Sequence, residues 1–305
     1  MKKAFFASCA VCLAAVGMAV SGCRTESKTV DDGVTRVLMI GNSFSITCLN
    51  HLPQVAADRG VKLDLCSLYI GGCSLEKHWN NIVSNAADKT FAPYRLTRNN
   101  QGVASMRRRA DICTALKMEM WDVVTVQQAS HESWQKKSDH PYGSRLVAKI
   151  RELAPQAKIY VQETWSYTPW DKRLKEWGID QNQMYDGLHA AYAGFAKKCD
   201  LKIIPFGTAV QEWRRRLPVK YTENSFGGDV VGGRNRAEED HFRRNASYAW
   251  EPNCDVFHLN GRGEYFQALV WAHVLLDVNP TEVNYKPTFV TDDEKKLMVE
   301  IVQNL

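Results

Sequence analysis

The sequence predicts an α/β fold in which a parallel sheet carries helices on both faces. Two observations point there. Short β-branched apolar runs alternate along the chain with amphipathic stretches of helical period, the rhythm of repeated strand–helix–strand units. The composition, 45% hydrophobic and 24% charged over 305 residues, supplies enough apolar surface for a buried core. With 10 Pro and 19 Gly the chain is neither collagen-like nor low-complexity.

The expected elements follow in order. Val34 to Ile40 (VTRVLMI) is an apolar, β-branched run and reads as the first strand, and Ile46 to Arg59 as the helix after it. Lys62 to Tyr69 (KLDLCSLY) reads as a strand and Leu75 to Ala87 as a helix. Arg107 to Met120 has a helical pattern, followed by a strand at Asp122 to Val126 and a helix at Tyr142 to Ala154. Lys158 to Val161 and Leu201 to Pro205 are further strands, separated by the helical stretch Asn182 to Lys198; Tyr265 to Leu276 is the last helix. Residues 34–305 read as one domain. Between about 217 and 252 the rhythm breaks at Gly227-Gly228 and Gly232-Gly233 and a charged segment follows, the pattern of an insertion or lid.

The first 22 residues read as a targeting segment: Lys2 and Lys3, an apolar run from Ala4 to Val20, then Ser21-Gly22-Cys23. The ending resembles a bacterial lipobox, which makes Cys23 the lipid-modified first residue and residues 23–33 a polar tether; ordinary cleavage with Cys23 as a spare thiol is the alternative. Arg24 after the cysteine fits outer-membrane sorting, so a cell-envelope lipoprotein is expected, its membrane partner reached through Cys23.

Charge and cysteine usage narrow the function further. A formal charge of +5, part of it in the removable Lys2 and Lys3, is too small to imply a nucleic-acid partner. The trios Arg107-Arg108-Arg109 and Arg214-Arg215-Arg216 read as solvated helix faces. Past Cys23, the six remaining cysteines form no CxxC pair and the histidines no ligand-like spacing, so no metal is expected. Six thiols allow about 15 pairings, and spacing does not choose among them; buried small hydrophobes are the default.

Ligands of open α/β sheets sit beyond the carboxyl ends of the strands. There stand Gly41-Asn42-Ser43-Phe44-Ser45 after the first run, Gly71-Gly72-Cys73-Ser74 after the second, Gln127-Gln128-Ala129-Ser130-His131 after the third and, near the C-terminus, Asp255-Val256-Phe257-His258. A serine hydroxyl attacks only when a neutral imidazole takes its proton, and the imidazole needs a carboxylate to fix its tautomer. Asp255 and His258 are three residues apart and can meet across one turn; Ser43 sits at a strand end. A tetrahedral intermediate needs N–H donors, each worth about 10²–10³ in turnover, and Ser43, a glycine of the 71–72 loop and Gln128 are the candidates.

GNSFS, GGCSLE and QQAS, with the late Asp-x-x-His, resemble the GDSL/SGNH hydrolases, and more narrowly a lipoprotein branch of them, over nearly all of residues 34–280. The resemblance implies a flavodoxin-like three-layer α/β/α sandwich with a parallel sheet. It also implies a serine esterase with Ser43 as nucleophile, Asp255 and His258 as its partners and the Gly72 amide in the oxyanion hole. No cofactor is implied. Two positions depart from the family: Asn42 replaces the usual Asp, and QQASH stands where Gly-x-Asn-Asp is usual. Gln128 is therefore preferred as third donor, with His131 and Gly71 as the lesser choices. Trp165 and Tyr167, after the fourth run, are expected to line the substrate cleft. The substrate expected is an acylated, most plausibly acetylated, carbohydrate or another small ester. A glycan-binding lipoprotein without turnover and a lipase or thioesterase are the alternatives. Oligomeric state is not legible.

Overall fold

The computed structural model describes residues 32–217, 227–232 and 255–305, which belong to one compact unit. The expected targeting segment, Cys23, most of the expected tether and most of the expected insertion lie outside the described residues.

Seven strands form one sheet in the order β4-β3-β2-β1-β5-β6-β7. β1 (Val34–Gly41) lies at its centre, parallel to β2 (Lys62–Tyr69) on one side and to β5 (Val123–Val126) on the other. β6 (Lys158–Gln162) and β7 (Lys202–Ile204) continue the parallel part. From Val37 onward β1 is buried on both faces, which is why its sequence is a continuous apolar run with no alternation. Because β2 and β5 leave β1 in opposite directions, the carboxyl end of β1 opens at a topological switch point.

At the far edge the sheet departs from the sequence reading. β3 (Tyr94–Asn100) and β4 (Val103–Ala110) form an antiparallel hairpin joined by Gln101 and Gly102, whose φ angles of 50° and 90° make a tight mirror-image turn. The sheet is therefore mostly parallel, and Arg107–Arg109 lie on an exposed edge strand instead of a helix face. The helix expected at Arg107 to Met120 shrinks to α4 (Ile112–Lys117), started by the Asp111 side chain, which accepts from Thr114 N at 2.9 Å.

Helices fill both faces. α2 (Cys48–Asp58), α8 (Phe206–Arg216), α9 (Gly261–Leu276) and α10 (Asp292–Val302) pack together on one side. α3 (Leu75–Ala87), α4, α5 (Tyr142–Leu153) and α7 (Gln181–Cys199) pack on the other, giving a three-layer α/β/α sandwich. α7 and α10 each begin with a reciprocal capping box, Asp180 with Gln183 and Thr291 with Glu294. Trp121, Trp165, Trp213 and Trp271 are fully buried. Arg214, expected on a solvated face, instead meets Asp229 at 2.9 Å with both side chains almost fully buried, and also donates to Ser166 O and Oγ. Its neighbours Arg215 and Arg216 stay at the surface and pair with Glu212.

Candidate active site

The turn after β1 is built around Asn42. It caps the one-turn helix α1 (Ser43–Ile46), its Oδ1 accepting from Phe44 N at 3.0 Å and from Gln127 Nε2 at 2.6 Å, while its Nδ2 donates to Cys73 O at 3.1 Å. One buried amide thus joins the loops after β1, β2 and β5. Carboxamide chemistry suits this place, since a carboxylate could not donate to the Cys73 carbonyl. Gly41 precedes it because a Cβ there would collide with Ser45 Oγ. Below the turn, the Phe44 carbonyl accepts from Gln162 Nε2 at 2.9 Å and from Gln267 Nε2 at 2.8 Å, so β6 and α9 both hold it. Ser43 is left half-buried at the mouth of the switch point.

Residues 255–258 meet it from the other end of the chain. Asp255 Oδ1 accepts from Phe257 N at 3.1 Å and His258 N at 2.9 Å, closing a tight turn. Asp255 Oδ2 lies 2.7 Å from His258 Nδ1, and His258 Nε2 lies 2.8 Å from Ser43 Oγ. Burial disfavours the Asp255 charge, but the hydrogen bonds from the His258 ring, its main chain and Phe257 N outweigh it and hold the carboxyl down to about 2. An ionised Asp255 can only accept, so Nδ1 carries the proton and the Nε2 lone pair faces the serine hydroxyl. The structure therefore brings Ser43, His258 and Asp255 into one line of hydrogen bonds.

The oxyanion candidates divide. Ser43 N–H, at the first position of α1, has no intrahelical acceptor, and neither it nor Gly72 N–H donates to any acceptor among the described residues. Gly72 is exposed at φ +59°, a left-handed conformation that glycine adopts without strain; Gly71 beside it is also exposed. Gln128, expected as the third donor, already holds other partners. Its Oε1 accepts from Leu75 N at 2.9 Å and Ala129 N at 2.8 Å, and its Nε2 donates to Ser138 O at 2.7 Å. Its oxygen and one of its two N–H groups thus form a strut between the start of α3 and the 131–141 loop. His131 is exposed, with Nε2 3.5 Å from Glu132, and does not replace it.

Trp165 and Tyr167 are also corrected: both are fully buried and line no open cleft. Trp165 stacks on Phe44 at 4.0 Å between centroids and donates Nε1–H to Phe257 O at 2.8 Å. Tyr167 packs against Phe257, with its hydroxyl 2.8 Å from Ser130 Oγ; burial pushes that phenol up to about 12 against the opposing hydrogen bond. The exposed aromatic of this segment is Trp170, at the tip of a turn closed by Asp171 N donating to Thr168 O. Thr168 in turn donates from N and Oγ1 to Val256 O at 3.1 and 2.9 Å, so this turn is tied to the segment bearing His258.

Sequence reasoning missed Asn42 as the hub of three loops, and Gln162 and Gln267 as the supports of the Phe44 carbonyl in the same turn. Only the polar residues closing or interrupting otherwise apolar elements hint at them. Cys73 is no second nucleophile. It is buried beside His78 (3.5 Å to Nδ1), which bonds Tyr94, and burial pushes the thiol up to about 12. Cys48, Cys66, Cys73, Cys113 and Cys199 are free thiols. Among the described residues no three His, Cys, Asp or Glu side chains gather to hold a metal, and no helix is long and apolar enough to cross a membrane.

A three-layer sandwich that presents Ser43 at the end of its central strand to an Asp-x-x-His from near the C-terminus has the fold of the GDSL/SGNH class expected from the sequence, and it brings the three expected side chains together. The chain belongs to the family described as Domain of unknown function (DUF4886), which matches residues 36–231. It is similar to the crystal structure of a DUF4886 family protein from Bacteroides uniformis, with 29% identity, a TM-score of 0.72 and coverage of 89% of this chain and 94% of that one. More distant likenesses include a candidate SGNH hydrolase from Slackia heliotrinireducens (20% identity, TM-score 0.47, 79% and 99% covered). Another is a Clostridium thermocellum family 3 carbohydrate esterase (12% identity, TM-score 0.43, 80% and 96% covered). Comparison with curated proteins finds no match.

Proposed function

We propose that this protein is a serine esterase that removes small acyl groups, acetyl foremost, from carbohydrate. The observation that carries the esterase reading is the hydrogen-bonded line from Ser43 Oγ through His258 to an ionised Asp255. His258 Nε2 takes the hydroxyl proton as Ser43 Oγ bonds the acyl carbon, and the Ser43 and Gly72 amides receive the oxyanion. The imidazolium then protonates the departing alkoxide, leaving acyl-Ser43. Water attacks that ester with His258 as base, the carboxylic acid leaves, and the serine recovers its proton.

The carbohydrate part of the reading rests on Trp170, an exposed indole on a turn pinned to the His258 segment, which suits the apolar face of a sugar ring. We further assign the protein to the cell envelope through lipidated Cys23; Cys23→Ala should move it from the membrane fraction to the supernatant. For the reaction, 4-nitrophenyl acetate hydrolysis should be present in the wild type and absent in a folded Ser43→Ala variant. Retained turnover in that variant excludes the mechanism. The partly engaged Gln128 amide favours one other reading, a glycan-binding protein without turnover. Glycan binding with no wild-type esterase activity would establish it.

A further inference from the structure

The reacting pair is assembled from opposite ends of the chain, and Ser43 Oγ and His258 Nε2 must stay within hydrogen-bond reach, 2.8 Å in the structure. Each is followed or preceded by a phenylalanine: Phe44 after the serine, Phe257 before the histidine. One side chain engages both. The Trp165 indole lies flat on the Phe44 ring, 4.0 Å between centroids at 16°, and its Nε1–H donates to the Phe257 carbonyl at 2.8 Å. Trp165 follows β6 at 0% exposure, and Phe206 meets it in a T-shaped contact at 5.4 Å. The loop Ser43–Phe44–Trp165–Phe257–His258–Ser43 is thus closed by three non-covalent links, and only one is the reacting pair itself.

Other anchors of this segment reach it from away from the serine turn: Thr168 on Val256 O, Gly232 N on His258 O at 2.7 Å, the Val231–Leu259 bridge, and Arg173 and Tyr167 on the Phe257 ring at 4.3 and 5.3 Å. Phe257 and the His258 ring also pack on Phe44, at 6.4 and 5.6 Å, farther apart than the 4.0 Å Trp165 stack and as ring contacts that carry no hydrogen bond. We infer that Trp165 is a positioning residue that sets the distance between Ser43 and His258 by stacking on Phe44 and hydrogen-bonding Phe257 O. It is buried and touches no substrate, so it acts on turnover and not on substrate binding. This rests on the esterase reading above.

The test compares the wild type with Trp165→Phe, which keeps an aromatic ring against Phe44 and deletes the donor. Trp271→Phe serves as control: Trp271 is equally buried, on α9, and its Nε1 makes no hydrogen bond among the described residues. With 4-nitrophenyl acetate, Trp165→Phe should lower kcat by about 10- to 100-fold, the scale of an ångström-level misplacement, with KM nearly unchanged. Trp271→Phe should lose stability and keep kcat. Equal kcat losses in the two variants, or none in Trp165→Phe, overturn the inference. A second readout needs no turnover: the low-field proton resonance of His258 Nδ1–H, identified by its absence in His258→Gln. It should be lost or broadened in Trp165→Phe and retained in Trp271→Phe. If the wild type hydrolyses nothing, this pattern upholds the positioning role while the esterase reading falls. A resonance unchanged in Trp165→Phe, or absent from the wild type, refutes the positioning role.

Discussion

Asp255→Asn changes one atom at the site and separates the two tasks of the carboxylate. Its Oδ1 holds a turn by accepting from the N–H groups of Phe257 and His258, and an asparagine oxygen can continue to do so. Its Oδ2 faces the Nδ1–H of His258 at 2.7 Å, and there the amide NH₂ of asparagine would confront a donor with a donor. The imidazole escapes by moving its proton to Nε2, which then points a hydrogen at Ser43 Oγ and cannot accept one. Loss of the working tautomer costs about 10⁴ in kcat, close to 5.5 kcal/mol of transition-state stabilisation. The assay is steady-state hydrolysis of 4-nitrophenyl acetate together with the rate of fluorophosphonate labelling. A thermal melt should show the turn intact, the midpoint moving by no more than about 4 °C, as for roughly 1 kcal/mol in a domain of this size. A folded Asp255→Asn variant within about tenfold of wild-type kcat would refute the tautomer argument.

Three further outcomes are expected. Trp170→Ala should raise KM for an acetylated oligosaccharide by about 3- to 10-fold, an aromatic contact of ~0.5–1.5 kcal/mol, and leave 4-nitrophenyl acetate kinetics unchanged; equal effects on both substrates would remove the sugar-platform role. Arg214→Met removes the guanidinium that pairs with the buried Asp229 and should cost about 3–5 kcal/mol in denaturant unfolding, a loss that no surface arginine would show. His189, 2.7 Å from the buried Glu163, is held above its usual range by that hydrogen bond, with burial opposing. Its protonation favours the folded state, so the stabilisation is complete below about pH 6.5 and is lost as pH rises through the folded value. The stability gap between wild type and His189→Gln should accordingly be wider at low than at high pH, and a pH-independent gap would contradict it.

Much of this was legible along the chain because the informative residues sit at strand ends. β1 and β2 are buried on both faces and announce themselves as apolar runs, and Ser43 and Asp255-x-x-His258 follow from motif and turn geometry. The β3–β4 hairpin was not legible: β4 is exposed on both faces, so it carries no alternation, and its arginines mimic a solvated helix. Trp165 and Tyr167 were placed after the right strand but on the wrong side of the surface, since position along a chain does not say which way a loop turns its rings. Gln128 was chosen for having an amide. Its oxygen and one N–H are instead taken up by Leu75 and Ser138, partners that only folding brings near. Arg214 differs from Arg215 and Arg216 for the same reason, its partner Asp229 arriving from beyond the end of α8.

The most direct measurement of the central claim is mass-spectrometric mapping of the fluorophosphonate adduct. A single adduct on the peptide bearing Ser43, formed by the wild type and lost in His258→Gln, is the expected result. No adduct, or one on a different serine, would contradict it.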